Sequence, residues 1–244
     1  MSVAWKTDKG RRKSVNEDAV LVDEENGLFL LADGMSGPRA GRVASRLAVR
    51  KAHAFLNERI TDTSDADILP LLNQAVEHAH GEVQKASRTR GALSGMGTTL
   101  IVLCVRNDAA YLSHVGDSRA YLYRQGTMAQ ITTDHTQEYG IDQEVMIRGL
   151  FFFHKARVLS QALGPSKALV CDGHRVDLLP EDIILLCSDG LTDMLSDRTI
   201  EELIGYHKEN LEKASHALVD AANRMGGKDN ISLVLINTNN SQLT

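Results

Sequence analysis

Positive charge is in short supply: 27 Lys and Arg against 32 Asp and Glu leave a formal charge of -5 over 244 residues. A nucleic-acid groove needs a basic stripe or excess. Here the basic clusters are only local, Arg11-Arg12-Lys13 and Arg39 with Arg42 and Arg46, so nucleic acid is not an expected partner. No run approaches the ~18 apolar residues of a spanning helix, and the opening Met1-Ser2-Val3-Ala4-Trp5-Lys6 lacks the apolar core of a secretion signal. A cytoplasmic protein with no membrane partner is expected. Of three cysteines, Cys104 and Cys187 sit in apolar runs and Cys171 stands alone, which excludes a disulfide frame and a C-x-x-C metal knuckle. No Pro/Gly/Ser-rich linker, internal repeat or low-complexity tract divides the chain, so residues 1–244 read as one domain. Walker P-loop, G-x-S-x-G elbow, kinase H-R-D, H-E-x-x-H and zinc-spaced His pairs are all missing. Asp65-Ala66-Asp67 has the letters of an aspartyl-phosphate nucleophile but no buried strand before it. His78 and His80, two apart on a helix, point to different faces and read as packed or exposed side chains.

What the chain does have is a recurring grammar of apolar strand followed by acid. Leu28 to Ala32 stops at Asp33-Gly34, Tyr111 to Gly116 leads into Asp117, and Ile183 to Ser188 leads into Asp189. Asp229-Asn230 stands before the run Ile231 to Ile236, and Asn16-Glu17-Asp18 opens Ala19 to Val22. Asp-Gly after a strand is ordinary turn chemistry at one site. Five such sites in one chain predict that the strand ends meet, and carboxylates held that close cannot all stay ionised without a cation between them.

The spacing predicts strands over 4–6, 19–23, 28–32, 98–105, 109–116, 118–123, 128–132, 174–178, 183–187 and 231–236. Helical periodicity runs from Ala40 to Phe55, Ile68 to Val83, Arg198 to Ile204 and Leu211 to Ala222, the last ended by Gly226-Gly227. Consecutive strands without helices after residue 98 predict an antiparallel meander. Residues 135–157 show no clear period, hold three of the five phenylalanines, and predict an irregular flap. The fold class is α+β: a four-layer α/β/β/α sandwich of two antiparallel sheets flanked by helix pairs. Oxygen-rich donors favour Mg²⁺ or Mn²⁺, and an aspartate cage with open positions suits two-metal phosphoryl chemistry.

At this level of detail the chain resembles the metal-dependent serine/threonine protein phosphatases of type 2C, in their compact bacterial form. The resemblance rests on Asn16-Glu17-Asp18, Ala32-Asp33-Gly34-Met35, Gly95-Met96-Gly97-Thr98-Thr99 and Val115-Gly116-Asp117-Ser118-Arg119. It continues through Thr133-Asp134-His135, Leu159-Ser160-Gln161-Ala162-Leu163-Gly164, Ser188-Asp189-Gly190-Leu191 and Gly227-Lys228-Asp229-Asn230. It implies two Mn²⁺ or Mg²⁺ ions bridged by Asp33, with Asp189 and Asp229 completing the first and Glu17 and the Gly34 carbonyl serving the second. Asp18 would hold metal-bound water, and Asp117 with Asp189 would form a third, weaker site. A water bridging the two ions would attack phosphoserine or phosphothreonine, opposing a serine/threonine kinase, and a monomer is expected. Lys13 stands where the family usually places a phosphate-binding arginine, and a lysine offers a point charge where arginine offers a bidentate fork. In an extended segment Arg11 would share the face of Lys13 and could take over the contact. Ser36 replaces a frequent glycine, and Met35 stands where some relatives carry a histidine proposed as general acid. Phe151-Phe152-Phe153 either pack the flap onto the body or form a docking surface. A phosphoprotein-binding pseudophosphatase and a hydrolase of small phosphate esters are the competing readings.

Overall fold

A computed structural model describes residues 1–35, 37, 39–89, 91–147 and 150–238; the side chains of 138–147 and 150–157 lie outside that description. The chain runs through β1 (Ser2–Asp8), β2 (Ala19–Asp23), β3 (Leu28–Ala32) and the two-residue β4 (Gly34–Met35) into α1 (Ala40–Asn57) and α2 (Ile68–Thr89). Then come β5 (Gly97–Thr98), β6 (Leu100–Arg106), β7 (Ala109–Val115), β8 (Arg119–Arg124) and β9 (Thr127–Gln130). After β10 (Thr136–Ile147), β11 (Leu150–Leu159), β12 (Asp172–Asp177) and β13 (Ile183–Cys187), the helices α3 (Asp189–Thr192), α4 (Asp197–His207) and α5 (Leu211–Arg224) precede β14 (Ile231–Asn237).

Two five-stranded antiparallel sheets result, ordered β1-β14-β13-β8-β9 and β12-β7-β6-β3-β2. Why β3 reads as an unbroken apolar run follows from its place between two layers: every residue is buried. Leu28, Leu30 and Ala32 face α1 and α2, while Phe29 and Leu31 face the other sheet. The second sheet repeats this, with Ile183, Leu185 and Cys187 under α4 and α5 and Ile184 and Leu186 turned inward. Period-2 alternation is therefore hidden in β3 and β13 because both faces are dry. The helix layers are amphipathic, as expected: Ala44, Ala48, Ala52 and Leu56 of α1 and Leu72, Ala75, Ala79 and Val83 of α2 enter one core. The four-layer α/β/β/α architecture is as the sequence predicts.

Three local expectations are corrected. The strands after residue 98 do not form one meander, because β6 and β7 pair in one sheet and β8 and β9 in the other. The chain changes sheets at Gly116-Asp117-Ser118, where Gly116 has φ +109 and an added Cβ would strike Thr99. The segment expected to be an irregular flap is a two-stranded antiparallel ribbon, β10 with β11, whose register shifts between Ile141 and Val145. The rings of Phe151 to Phe153, and Ser36, lie outside the described side chains and residues. Finally, Asp189 does not simply end a strand; it begins α3, with Ser188 as the preceding cap residue.

Strand register brings the acid-bearing termini to one end of the sandwich. Ala19 pairs with Ala32 and Leu31 with Ile101, and Leu100 pairs with Val115, so Asp18, Asp33 and Asp117 leave the same edge of one sheet. In the other sheet Cys187 pairs with both Leu233 and Arg119, and Asp8 with Ile231, which puts Asp189 and Asp229 at the matching edge.

Candidate active site

Lys13, Glu17, Asp33, Gly34, Met35, Asp117, Asp189 and Asp229 line one cavity of about 400 Å³. Asp18, the remaining acid of the expected site, lies behind its wall, buried at 6% exposure. Its Oδ2 accepts a 2.9 Å hydrogen bond from Ser188 Oγ, which itself accepts from Ser232 N–H at 3.0 Å. Asp33 and Asp189 are within hydrogen-bond reach of each other, and both feel Asp229.

The electrostatics are those of like charges crowded in a dry place. Burial first, then the charge of Asp229, pushes Asp18 up to about 6 against the lowering pull of Ser232 and Ser188. Burial followed by Asp117, Asp193 and Asp229 pushes Asp189 up to about 7. Asp33 is raised well above the carboxylate range by burial and by Asp18 and Asp189. Glu17 is raised by burial, in part opposed by Lys13 and Arg42. Lys13 Nζ sits 2.8 Å from Asp229 Oδ1; burial alone would lower the ammonium pKa, but the hydrogen bond and charge of Asp229 raise it.

Backbone and side-chain bonds outside the acid set fix these positions. Asp33 N–H donates to Thr99 Oγ1 at 2.9 Å, while Thr98 Oγ1 and Thr99 N–H donate to the Asp33 carbonyl. The pairing of β4 with β5 sets Gly34 opposite Thr98, and Thr98 bridges to Leu163, so three of the quoted motifs are stitched together. Asn230 Oδ1 accepts from Glu17 N–H at 2.8 Å, and its amide donates to the Lys9 and Val15 carbonyls. That one side chain ties the loop carrying Lys13 and Glu17 to the Asp229 turn. Ser45 Oγ of α1 donates to the Glu17 carbonyl. Added Cβ atoms at Gly34 or Gly41 would collide with Glu17 or with each other's backbone, so α1 seats against Glu17 only because both are glycine. Sequence reasoning quoted Asn230 and Thr98-Thr99 inside motifs without a role, and missed Ser45 and Ser188 as positioning groups; a hydroxyl one residue before a site aspartate was the available signal for Ser188.

Arg11 does not share the cavity with Lys13. Gly10 to Arg12 form a turn rather than an extended segment, and Arg11 Nε donates to the Asn223 carbonyl at the end of α5. Arg119 and Asp134, also motif residues, form a two-bonded fork at 2.8 and 2.7 Å that continues through Tyr121 to Asp197. His78 is exposed with its ring stacked on Phe55, and the partly buried His80 accepts from Gly164 N–H through Nδ1, so the pair shows both the exposed and the packed alternative. Asp65 bonds Arg106 and Asn107 and stands in a short surface turn.

The donor set fits divalent cations. Glu17 Oε1, Asp18 Oδ1 and Asp189 Oδ1 are buried oxygens without a hydrogen-bond partner among the described residues, and the described residues lining the cavity bring carboxylates with no imidazole or thiolate. Hard oxygen donors of this kind suit Mg²⁺ and Mn²⁺.

The sequence model of the family described as Protein phosphatase 2C matches residues 7–223. Serine/threonine phosphatase stp of Listeria innocua is 32% identical over 244 residues, covering 98% of this chain and 96% of that protein. The crystal structure of the serine/threonine phosphatase PstP/Ppp of Mycobacterium tuberculosis superposes with a TM-score of 0.80 at 30% identity over 98% of both chains. The catalytic domain of PstP in complex with two manganese ions gives 0.77 at 32% identity over 96% of both.

Proposed function

The chain belongs to the protein phosphatase 2C family, and from that premise we propose that it hydrolyses phosphoserine and phosphothreonine in proteins with residues 1–244 acting as one catalytic domain. The family's metal dependence is assigned here to Asp33, Asp189, Asp229, Glu17 and the Gly34 carbonyl as holders of two ions, with Asp117 contributing to a third. Bound there, the ions would supply an activated water and charge neutralisation for in-line attack on the phosphoryl group. Asp18 lies just behind the wall, its Oδ2 held by Ser188 and its Oδ1 without a partner among the described residues, and would position water at the bound ions. Lys13 is the one ammonium among the described residues of the cavity wall, 40% exposed, and reaches an incoming phosphate as a point charge. Met35 brings no proton donor to the wall, so the leaving alkoxide takes its proton from solvent.

The observation that carries this reading is the set of buried carboxylate oxygens, without a partner among the described residues, at a cavity where four carboxyl groups are held above their ordinary pKa. No helix among the described residues is long and apolar enough to cross a membrane, and the reading includes a cytoplasmic monomer opposing a serine/threonine kinase. The test is release of phosphate from a phosphothreonine peptide with Mn²⁺, using the parent and Asp189→Asn. Turnover in the parent that disappears in the variant is expected; a parent inert at every metal concentration while still binding the peptide would replace the enzyme with a binding module.

A further inference from the structure

A second cluster of donors lies on the edge strand of one sheet, built by register. β12 pairs with β7 so that Asp172 stands opposite His114 and His174 opposite Leu112. Partners across an antiparallel ladder share a face, here the face on which Leu112 and Ala110 enter the core between the sheets. His135, from the loop between β9 and β10, stacks on His114 with ring centroids 4.8 Å apart and sets Nε2 3.2 Å from Asp172 Oδ2. His174 tilts toward His114 at 5.8 Å. One donor atom from each of His114, His135 and Asp172 falls within 4.8 Å of the others.

His114 is wholly buried, and its Nε2 lies 3.0 Å from the Thr133 carbonyl. A carbonyl only accepts, so Nε2 carries the proton and Nδ1 is a lone pair, which has no partner among the described residues. Burial holds this imidazole below its usual pKa, the Thr133 bond notwithstanding, so the lone pair stays bare. One ring nitrogen oriented by a carbonyl and the other left open is how proteins prepare a metal-ligating histidine. His174 Nε2 is likewise buried without a partner. We propose that His114, His135 and Asp172, with His174 beside them, form a site for one transition-metal dication of the Zn²⁺ class, separate from the oxygen-lined cavity. Two imidazoles and a carboxylate suit such an ion, whereas the all-oxygen cavity suits Mg²⁺ or Mn²⁺.

The site reaches toward the cavity through one residue. Gly116 N–H donates to His135 Nδ1 at 3.3 Å, which leaves the neutral ring's proton on Nε2, facing Asp172. Ligation through Nε2 moves that proton to Nδ1, releases none to solvent, and gives up the bond from Gly116. Gly116 precedes Asp117, and the His135 carbonyl accepts from Ser160 N–H at the foot of the β10–β11 ribbon. Occupancy is thereby coupled to the Asp117 turn and to the ribbon.

The test uses the whole chain in excess Mg²⁺, titrated with Co²⁺ as a coloured probe and then with Zn²⁺. One equivalent of Co²⁺ with the intense visible absorption of a low-coordinate nitrogen site is expected, displaced by Zn²⁺ and unchanged in Asp33→Asn. The half-exposed Asp172→Asn, chosen because it leaves the buried rings in place, should weaken Co²⁺ binding at least ~10-fold; His114→Gln should abolish it. Absorption that is missing, that survives Asp172→Asn, or that vanishes in Asp33→Asn would overturn the site, the last by locating cobalt in the acid cavity.

Discussion

Asp134 and Asp182 are enclosed much as the cavity carboxylates are, yet each looks into an arginine. Arg119 grips Asp134 with two bonds, and Arg124 grips Asp182, whose side chain is 1% exposed, at 2.6 and 2.9 Å. Asp18, Asp33 and Asp189 have other carboxylates as their charged neighbours, and Lys13 is the only ammonium among the described residues of the cavity wall. Asp134 and Asp182 are thus paired with arginines within the chain, whereas Asp33 and Asp189 are crowded by other acids, the arrangement that the proposed cations would relieve. Sequence alone does not separate the classes, since Asp117 and Asp134 both stand in quoted motifs a few residues past a strand.

The largest expected consequence is catalytic. Replacing an outer partner of a bound metal costs ~10–100-fold, so Asp189→Asn, which alters a proposed ligand, should lower phosphopeptide turnover by more than ~100-fold while Ser188→Ala falls within that range. Equal, small effects of both would erase the distinction between a ligand and its support.

Stability should move in opposite directions for the same chemical change. Asp134→Asn strips the counter-charge from Arg119 and should cost about 3 kcal/mol, a fall in Tm of ~6–12 °C. Asp189→Asn removes a repelling charge and should raise the Tm of EDTA-treated protein. A fall in both would mean that Asp189 is held by an unrecognised internal partner.

The pH dependence sharpens the same contrast. Asp18 and Asp189 titrate at about 6 and about 7 in the folded chain against an ordinary 3.8. The folded state therefore keeps protons that the unfolded chain has released, so this contribution to stability is present below about pH 4 and is lost as pH rises through 6 to 7. Melting in EDTA should show Asp18 and Asp189 costing stability at pH 7.5 relative to pH 5.5, a slope reduced in Asp189→Asn. Saturating Mn²⁺ should then add on the order of 10 °C at pH 7.5 and less at pH 5.5.

Smallest is the change at the phosphate contact. Lys13→Arg should lower KM for a phosphopeptide severalfold with kcat retained, because a planar fork holds phosphate in two bonds. An unchanged or higher KM would show that the lysine is not the phosphate contact.

Much of this was legible because β3 and β13 announce themselves by continuous apolarity, and their ends carry Asp33 and Asp189. The helices were legible from the period of Ala44, Ala48 and Ala52 or of Leu211, Ala214 and Leu218. Less visible were features decided by contacts distant in sequence. Nothing local to Gly116 says that the chain will cross to the other sheet there, and nothing near Arg11 says that a carbonyl of α5 will hold it. Asn230 holds Lys9, Val15 and Glu17 across more than 200 residues, and the meeting of His114 with Asp172 depends on the β7–β12 register. The ribbon of β10 and β11 lacks the apolar alternation of a half-buried strand, so its sequence carried no strand signal.

The account stands on cations gathering the acids from both sheets, and anomalous diffraction at the manganese edge from crystals grown with Mn²⁺ tests it most directly. Two peaks in the cavity, one flanked by Asp33, Asp189 and Asp229 and the other by Asp33, Glu17 and the Gly34 carbonyl, are predicted. A protein that turns over phosphopeptide in the same solution yet shows no anomalous density between those residues would contradict it.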